Sequence, residues 1–246
     1  MPNLMHNWLE FNGQKSTDLG LTIERIPNAN RPARKYDRYS VPGRNGDIFV
    51  FQDAWENLEQ SYEICWKGTP VDTGYSIAEW LFGSSGYQML TDSYDPLHYR
   101  NAVFLGPYDV ENTLMRYGRA TITFDCDPRR FLTSGLEWIN INSGAYTYIT
   151  NPTPFVAKPA VELEDSTATG HQIRVENGAD ASYLTIAAGV GSFIADSSRE
   201  SITYPDGTPA FASVSGTYPL LWPGENELII YGYFDSAKIQ PNWWTL

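Results

Sequence analysis

The chain has 246 residues, with 29 Asp and Glu against 17 Lys and Arg, a formal net charge of −12. That acidity speaks against a nucleic-acid partner, because binding a phosphate backbone needs a basic face. With 8 Trp, 16 Tyr, 20 Gly and 16 Pro the composition favours strands and tight turns over long helices, and the length suits two compact β domains, each with its own core.

At the start, MPNLMHNWLEF carries no cationic segment followed by an apolar run, and no later stretch is apolar and long enough to span a bilayer. Neither export nor membrane insertion is expected. Alternating apolar and polar residues predict strands at 7–11, 19–26, 58–66, 87–90, 99–105 and 117–126. Between the second and third of these runs lies KYDRYSVPGRNGDIFVF, residues 35–51. Pro42-Gly43 suits a type II turn at Val41–Arg44 and Asn45-Gly46 a type I′ turn at Arg44–Asp47, so a shaped hairpin tip is expected, closed by an Arg44–Asp47 charge pair. The stretch 25–44 holds Arg25, Arg31, Arg34, Lys35, Arg38 and Arg44 against the single acid Asp37. A basic stretch in an acidic chain can pair with a second copy of that chain.

In TGYSIAEWLFG (73–83) Ile77, Trp80 and Leu81 recur at helical spacing, which predicts one short helix capped by Thr73 and stopped at Gly83. The pattern breaks at DPRRFLTSG (127–135), the expected domain boundary. Nine short strand-like runs follow, from LEWINI (136–141) to ELIIYGYF (227–234), with turn signals at Asn177-Gly178, Asp206-Gly207 and Pro223-Gly224. That spacing reads as an all-β sandwich. The closing QPNWWTL (240–246) is aromatic and is expected to dock on the body. The segment 205–217, rich in Pro, Gly and Ser, is a candidate exposed contact.

Catalytic constellations are absent from the pattern. His6, His98 and His171 stand apart, without metal-ligand spacing, and no Gly-x-Ser-x-Gly elbow occurs. GVGSFI (189–194) lacks the third glycine and the helix of a dinucleotide loop, so it reads as a hairpin. Asp92 with Asp95, and Asp125 with Asp127, are paired carboxylates without a demonstrable cleft between them. Cys65 and Cys126 define no disulfide framework and read as small buried hydrophobes. No catalytic residue, metal or cofactor is therefore expected.

A series of blocks resembles one family. FNGQKSTDLGLTIERIP (11–27), RPARKYDRYSVPGRNGDI (31–48), AEWLFGSSGYQMLTDSYDPLHYRNAVF (78–104) and FDCDPRRF (124–131), then PGENELIIYG (223–232) and NWWTL (242–246), are similar in order and spacing to the distal tail proteins, called Dit, of siphophages. The resemblance implies a mainly β fold with a β-sandwich-type ring-forming domain over 1–132 that carries one short helix and an extended hairpin. It implies a galectin-like β-sandwich over 133–238 and a tail over 239–246 that packs back on the first domain. The function implied is that of a structural virion protein and no enzyme, made in the host cytoplasm and forming a hexameric ring hub at the tip of a long non-contractile tail. The partners implied are further copies of itself as a homohexamer, the tail-tube protein, the tail-associated hub or lysin protein, and receptor-binding or baseplate proteins.

Joined to the basic stretch, the resemblance nominates Arg31, Arg34, Tyr36, Arg38, Tyr39, Val41, Arg44, Asp47 and Phe49, with Val50, as the subunit interface. Charge there would give orientation and the aromatic residues affinity. An alternative function is a cell-wall carbohydrate-binding adhesin acting through the C-terminal sandwich, with His171, Arg174 and Trp222 as contacts. The sequence departs from the sugar-binding galectin pattern, since HQIRVEN (171–177) has no Asn between His171 and Arg174 and Trp222 is followed by PGE.

Overall fold

The computed structural model describes residues 7–68, 70–108, 110–113, 117–210 and 214–246. The chain divides into two compact units, Met1–Arg130 with Leu246, and Phe131–Thr245. Each is built from antiparallel strands, and the described residues include one α-helix.

In the first unit seven strands lie side by side in the order Gln14–Lys15, Leu9–Phe11, Gln88–Asp92, His98–Phe104, Tyr117–Cys126, Leu58–Lys67 and Leu21–Ile23, and Val110–Thr113 adds to the start of Tyr117–Cys126. The two ten-residue strands pair along their whole length, from Tyr117 opposite Lys67 to Cys126 opposite Leu58. Alternate residues of both point inward, Tyr62, Ile64 and Trp66 from one, Ile122 and Phe124 from the other, as the period of two requires. The sheet curls, and its inner face meets in one core with Leu9, Phe11 and Leu90.

The helix Pro70–Phe82 seals that core with Ile77, Trp80 and Leu81, each buried and worth roughly 2 kcal/mol relative to exposure. The Trp80 indole Nε1 donates to the Phe11 carbonyl at 3.0 Å. The helix starts three residues before Thr73, so Thr73 does not cap it. Pro70 stands in the first turn instead, where a missing N–H costs nothing and a fixed φ favours the helix. Both cysteines are free. Cys65 stands opposite Arg119 and Cys126 opposite Leu58, seven residues further along the same strand pair, a separation of about 23 Å that no disulfide can cross.

The second unit is a sandwich of two five-stranded sheets. One runs Ile139–Asn140, Ser236–Gln240, Ala160–Glu164, Phe193–Asp196, Ser201–Thr203, and the other Thr147–Asn151, Gly224–Tyr231, His171–Asn177, Asp180–Ile186, Val214–Gly216. Val161, Leu163 and Ile239 from the first face Ile173, Val175 and Leu228 from the second in a single core. Residues 239–245, set apart in the sequence as a tail, belong to this unit. Ile239 is fully buried, Trp243 is buried in its core, Trp244 stacks on Phe155 at 4.3 Å, and the Leu132 amide donates to the Trp243 carbonyl at 2.9 Å. YPLLW (218–222) forms no strand, and only an isolated bridge ties Leu221 to Ala157.

Candidate functional site

Arg34–Tyr39 and Ile48–Trp55 form a two-stranded sheet of their own, here called the arm. Tyr36 pairs with Phe51, Arg38 with Phe49, Asp37 with Val50 and Tyr39 with Ile48. Opposite residues share a face, so one face carries Arg34, Tyr36, Arg38, Phe49 and Phe51, and the other Lys35, Asp37, Tyr39, Ile48 and Val50. The first face is a stack in which Tyr36 lies 5.4 Å from Phe49 and 6.3 Å from Phe51 between ring centroids. The Arg34 guanidinium sits 4.9 Å from the Trp55 ring, and that of Arg38 lies 5.9 Å from Phe49, both within cation–π reach.

Neither face is covered by the described residues. Tyr36 is 48 % exposed, Phe49 49 % and Phe51 54 % on one side, Tyr39 55 % and Val50 49 % on the other. A two-stranded ribbon is marginal alone in water, and a globular surface rarely leaves apolar residues bare on both sides of one element. The register slips between Arg34 and Tyr36, where the first strand advances two residues while the second advances four, and Asp53 there is left-handed at φ 49°. Such a bulge sharpens the twist and bends the ribbon near its root.

At the tip, the Arg44 amide donates to the Val41 carbonyl at 3.2 Å and Gly43 has φ 82°, which makes the expected Pro-Gly turn. The type I′ turn at Asn45-Gly46 does not form. It needs a positive φ at both residues, and only Gly46, at 80°, has one. Asp47 pairs with Arg38 and not with Arg44, because the last ladder pair is Tyr39 with Ile48 and the loop beyond is too long to hold Arg44 against it. Among the described residues Arg44 has no ion-pair partner. Arg31 precedes the arm, exposed, with its Nη1 donating to the Asn30 carbonyl at 3.3 Å. The sequence nominated Val41 too, exposed at the tip. It passed over Phe51, the last residue of IFVF, and Trp55, which extending the same alternation by four residues reaches; the two complete the aromatic face.

The sandwich residues do not converge. His171 is buried, its Nε2 held by Asp165 at 3.0 Å. Arg174 lies on the opposite face of the same strand, bonded to Glu176, which also accepts the Tyr183 hydroxyl at 3.0 Å. Trp222 is half-buried against the core, in a turn pinned by the buried Asn226 side chain, which accepts from the Trp222 amide at 2.8 Å. Burial thus sets His171 apart from Arg174 on the two faces of one strand. Among the described residues no three His, Cys, Asp or Glu side chains gather where they could hold a metal, and no helix is long and apolar enough to cross a membrane. His6 and residues 211–213 of the segment 205–217 lie outside the described residues.

The arrangement defines a class of fold, a curled antiparallel sheet with one sealing helix and a projecting hairpin, followed by a ten-stranded sandwich. Among solved structures it is matched by the Dit protein (gp 19.1) of phage SPP1, described as a paradigm of hub adsorption apparatus in phages infecting Gram-positive bacteria. The TM-score is 0.72 over 98 % of this chain and 99 % of that one, at 16 % sequence identity, so the likeness is one of fold along the whole length. No family model and no curated protein matches the sequence.

Proposed function

We propose that this chain is a structural hub protein of a phage tail's adsorption apparatus, without catalytic activity, located in the virion at the tail tip. In this reading copies of the chain close into a ring, a homohexamer, in which the arm of each subunit lies on the next. The two different surfaces brought together make the contact heterologous, and it closes only at a fixed rotation. The ring joins the tail-tube protein to the tail-associated hub or lysin protein, and the galectin-like sandwich is left free for receptor-binding or baseplate proteins.

The single observation that supports this reading most is the arm, basic and aromatic, bare on both faces, on a fold matched end to end by a hub protein. Truncating central aromatic anchors removes most of an interface's affinity. Light scattering with negative-stain imaging of the purified chain is expected to give six-membered rings. Tyr36→Ser with Phe49→Ser is expected to give a folded monomer. A wild-type chain that stays monomeric at every concentration and salt tested would remove the hub reading.

A further inference from the structure

The first unit holds a cavity of about 320 Å³ at the root of the arm, with the segment 26–31 as one wall. Its floor is Gln60, Tyr62 and Leu90, all buried. Gln60 Nε2 donates to the Asn28 carbonyl at 3.1 Å, and Asn30 Nδ2 to the Glu59 carbonyl at 2.6 Å, so the wall is tied to the strand beneath it. Three arginines, Arg31, Arg100 and Arg130, line this space together with two aspartates, Asp92 and Asp95, and His98.

The two carboxylates are already engaged. Asp92 accepts the Tyr62 hydroxyl at 2.8 Å and the Tyr94 and Asp95 amides at 2.8 and 3.1 Å. Asp95 accepts His98 Nδ1 at 2.7 Å and is paired with Arg130. Among the described residues Arg100 is left with one long hydrogen bond, 3.4 Å from Nη1 to the Pro128 carbonyl, and neither it nor Arg31 has a carboxylate partner. Burial lowers the Arg100 pKa from its ordinary value, and the charges of Arg130 and Arg31 push it the same way. A half-buried guanidinium without a counter-ion is costly, and its planar fork fits a carboxylate in two parallel hydrogen bonds. Three positive groups against two negative ones leave a surplus of one, which suits a single carboxylate better than a phosphate dianion.

We infer that this cavity is a carboxylate-binding site, filled on assembly by an Asp or Glu side chain of a second copy. The occupant follows from continuity and charge. The mouth adjoins Arg31 and the root of the arm, which the hub reading places at the subunit boundary, and the chain carries 29 Asp and Glu to 17 Lys and Arg. The inference rests on the arm being the self-association element, and the test separates the two.

In the full-length arm variant Tyr36→Ser/Phe49→Ser the cavity is open to a free probe. Succinate is expected to raise its thermal midpoint above that in sodium chloride of equal ionic strength, Arg100→Met to abolish the rise, and Arg100→Lys to keep part of it. In the chain with an intact arm, Arg100→Met and, separately, the exposed Arg31→Gln are expected to weaken self-association about tenfold with folding unchanged. No succinate effect beyond salt overturns the carboxylate site, and wild-type association by a folded Arg31→Gln and Arg100→Met overturns the second copy as occupant. Should Arg100→Met fail to fold, Arg31→Gln and Arg100→Lys carry the same readings. Arm variants that associate like wild type while the cavity variants do not would remove the arm's role and leave the cavity's.

Discussion

The Asp165 carboxylate accepts five hydrogen bonds in the interior of the sandwich, from the amide and hydroxyl of Thr167 at 2.7 and 2.6 Å, those of Thr169 at 2.7 and 3.1 Å, and His171 Nε2 at 3.0 Å. Burial alone would raise its pKa, but these donors outweigh burial and hold the carboxyl well below the usual carboxylate range. A folded value below the unfolded one means that the contribution to stability is complete above the unfolded pKa, about 3.9, and is lost as pH falls from there through the folded value. Asp165→Asn, which cannot satisfy all five donors, is expected to cost the sandwich about 3 kcal/mol near neutrality. The gap between wild type and variant in denaturant unfolding should narrow below about pH 4, and a gap independent of pH would refute the ionic account. His171 was visible in the sequence as a polar residue on a strand, but the partner that makes it structural stands six positions earlier, in the turn-like EDSTATG, and only the folded loop brings them together.

Among the elements, strands with strict alternation were legible nearly to the residue. Tyr117–Cys126 and His171–Asn177 have the bounds that YGRATITFDC and HQIRVEN suggest, because one face of each is buried and a register error would invert every side chain. YPLLW failed because Pro219 lacks a ladder donor and Leu221 makes one isolated bridge, to Ala157, its carbonyl also taking the Asn151 side-chain amide at 2.9 Å. The arm was legible as two strands and a turn, and its Arg38–Asp47 pair was not, since tip register depends on a loop whose two turn signals compete. Gly118 marks a further point where pairing decides the residue. It stands opposite Trp66, whose ring would lie 2.2 Å from an added Cβ. Gly118→Ala must displace a buried indole and is expected to destabilise the first unit by about 3 kcal/mol. An unchanged unfolding midpoint would mean that Trp66 has room to move that the packing does not suggest.

At the scale of the whole molecule, charge is unevenly distributed along the chain. Residues 131–246 hold 4 Lys and Arg against 12 Asp and Glu, and the rest of the chain 13 against 17, yet the stretch 25–44 is basic. Exposed charges of this kind act over about a Debye length and raise the rate of encounter more than the lifetime of the contact. Desolvated aromatic side chains act in the opposite manner, through the dissociation rate. If copies close into the ring proposed above, Arg34→Glu with Arg44→Glu is expected to slow assembly severalfold at about 0.05 M salt and to differ little from wild type at about 0.5 M, where the screening length falls to about 4 Å. Tyr36→Ser with Phe49→Ser should prevent assembly at both. Stopped-flow light scattering across the salt series distinguishes the two mechanisms. If the charge-reversed chain failed to assemble even at high salt, Arg34 would be acting through its stacking on Trp55, 4.9 Å away, and the arm's arginines would count as anchors in the contact and not as guides to it.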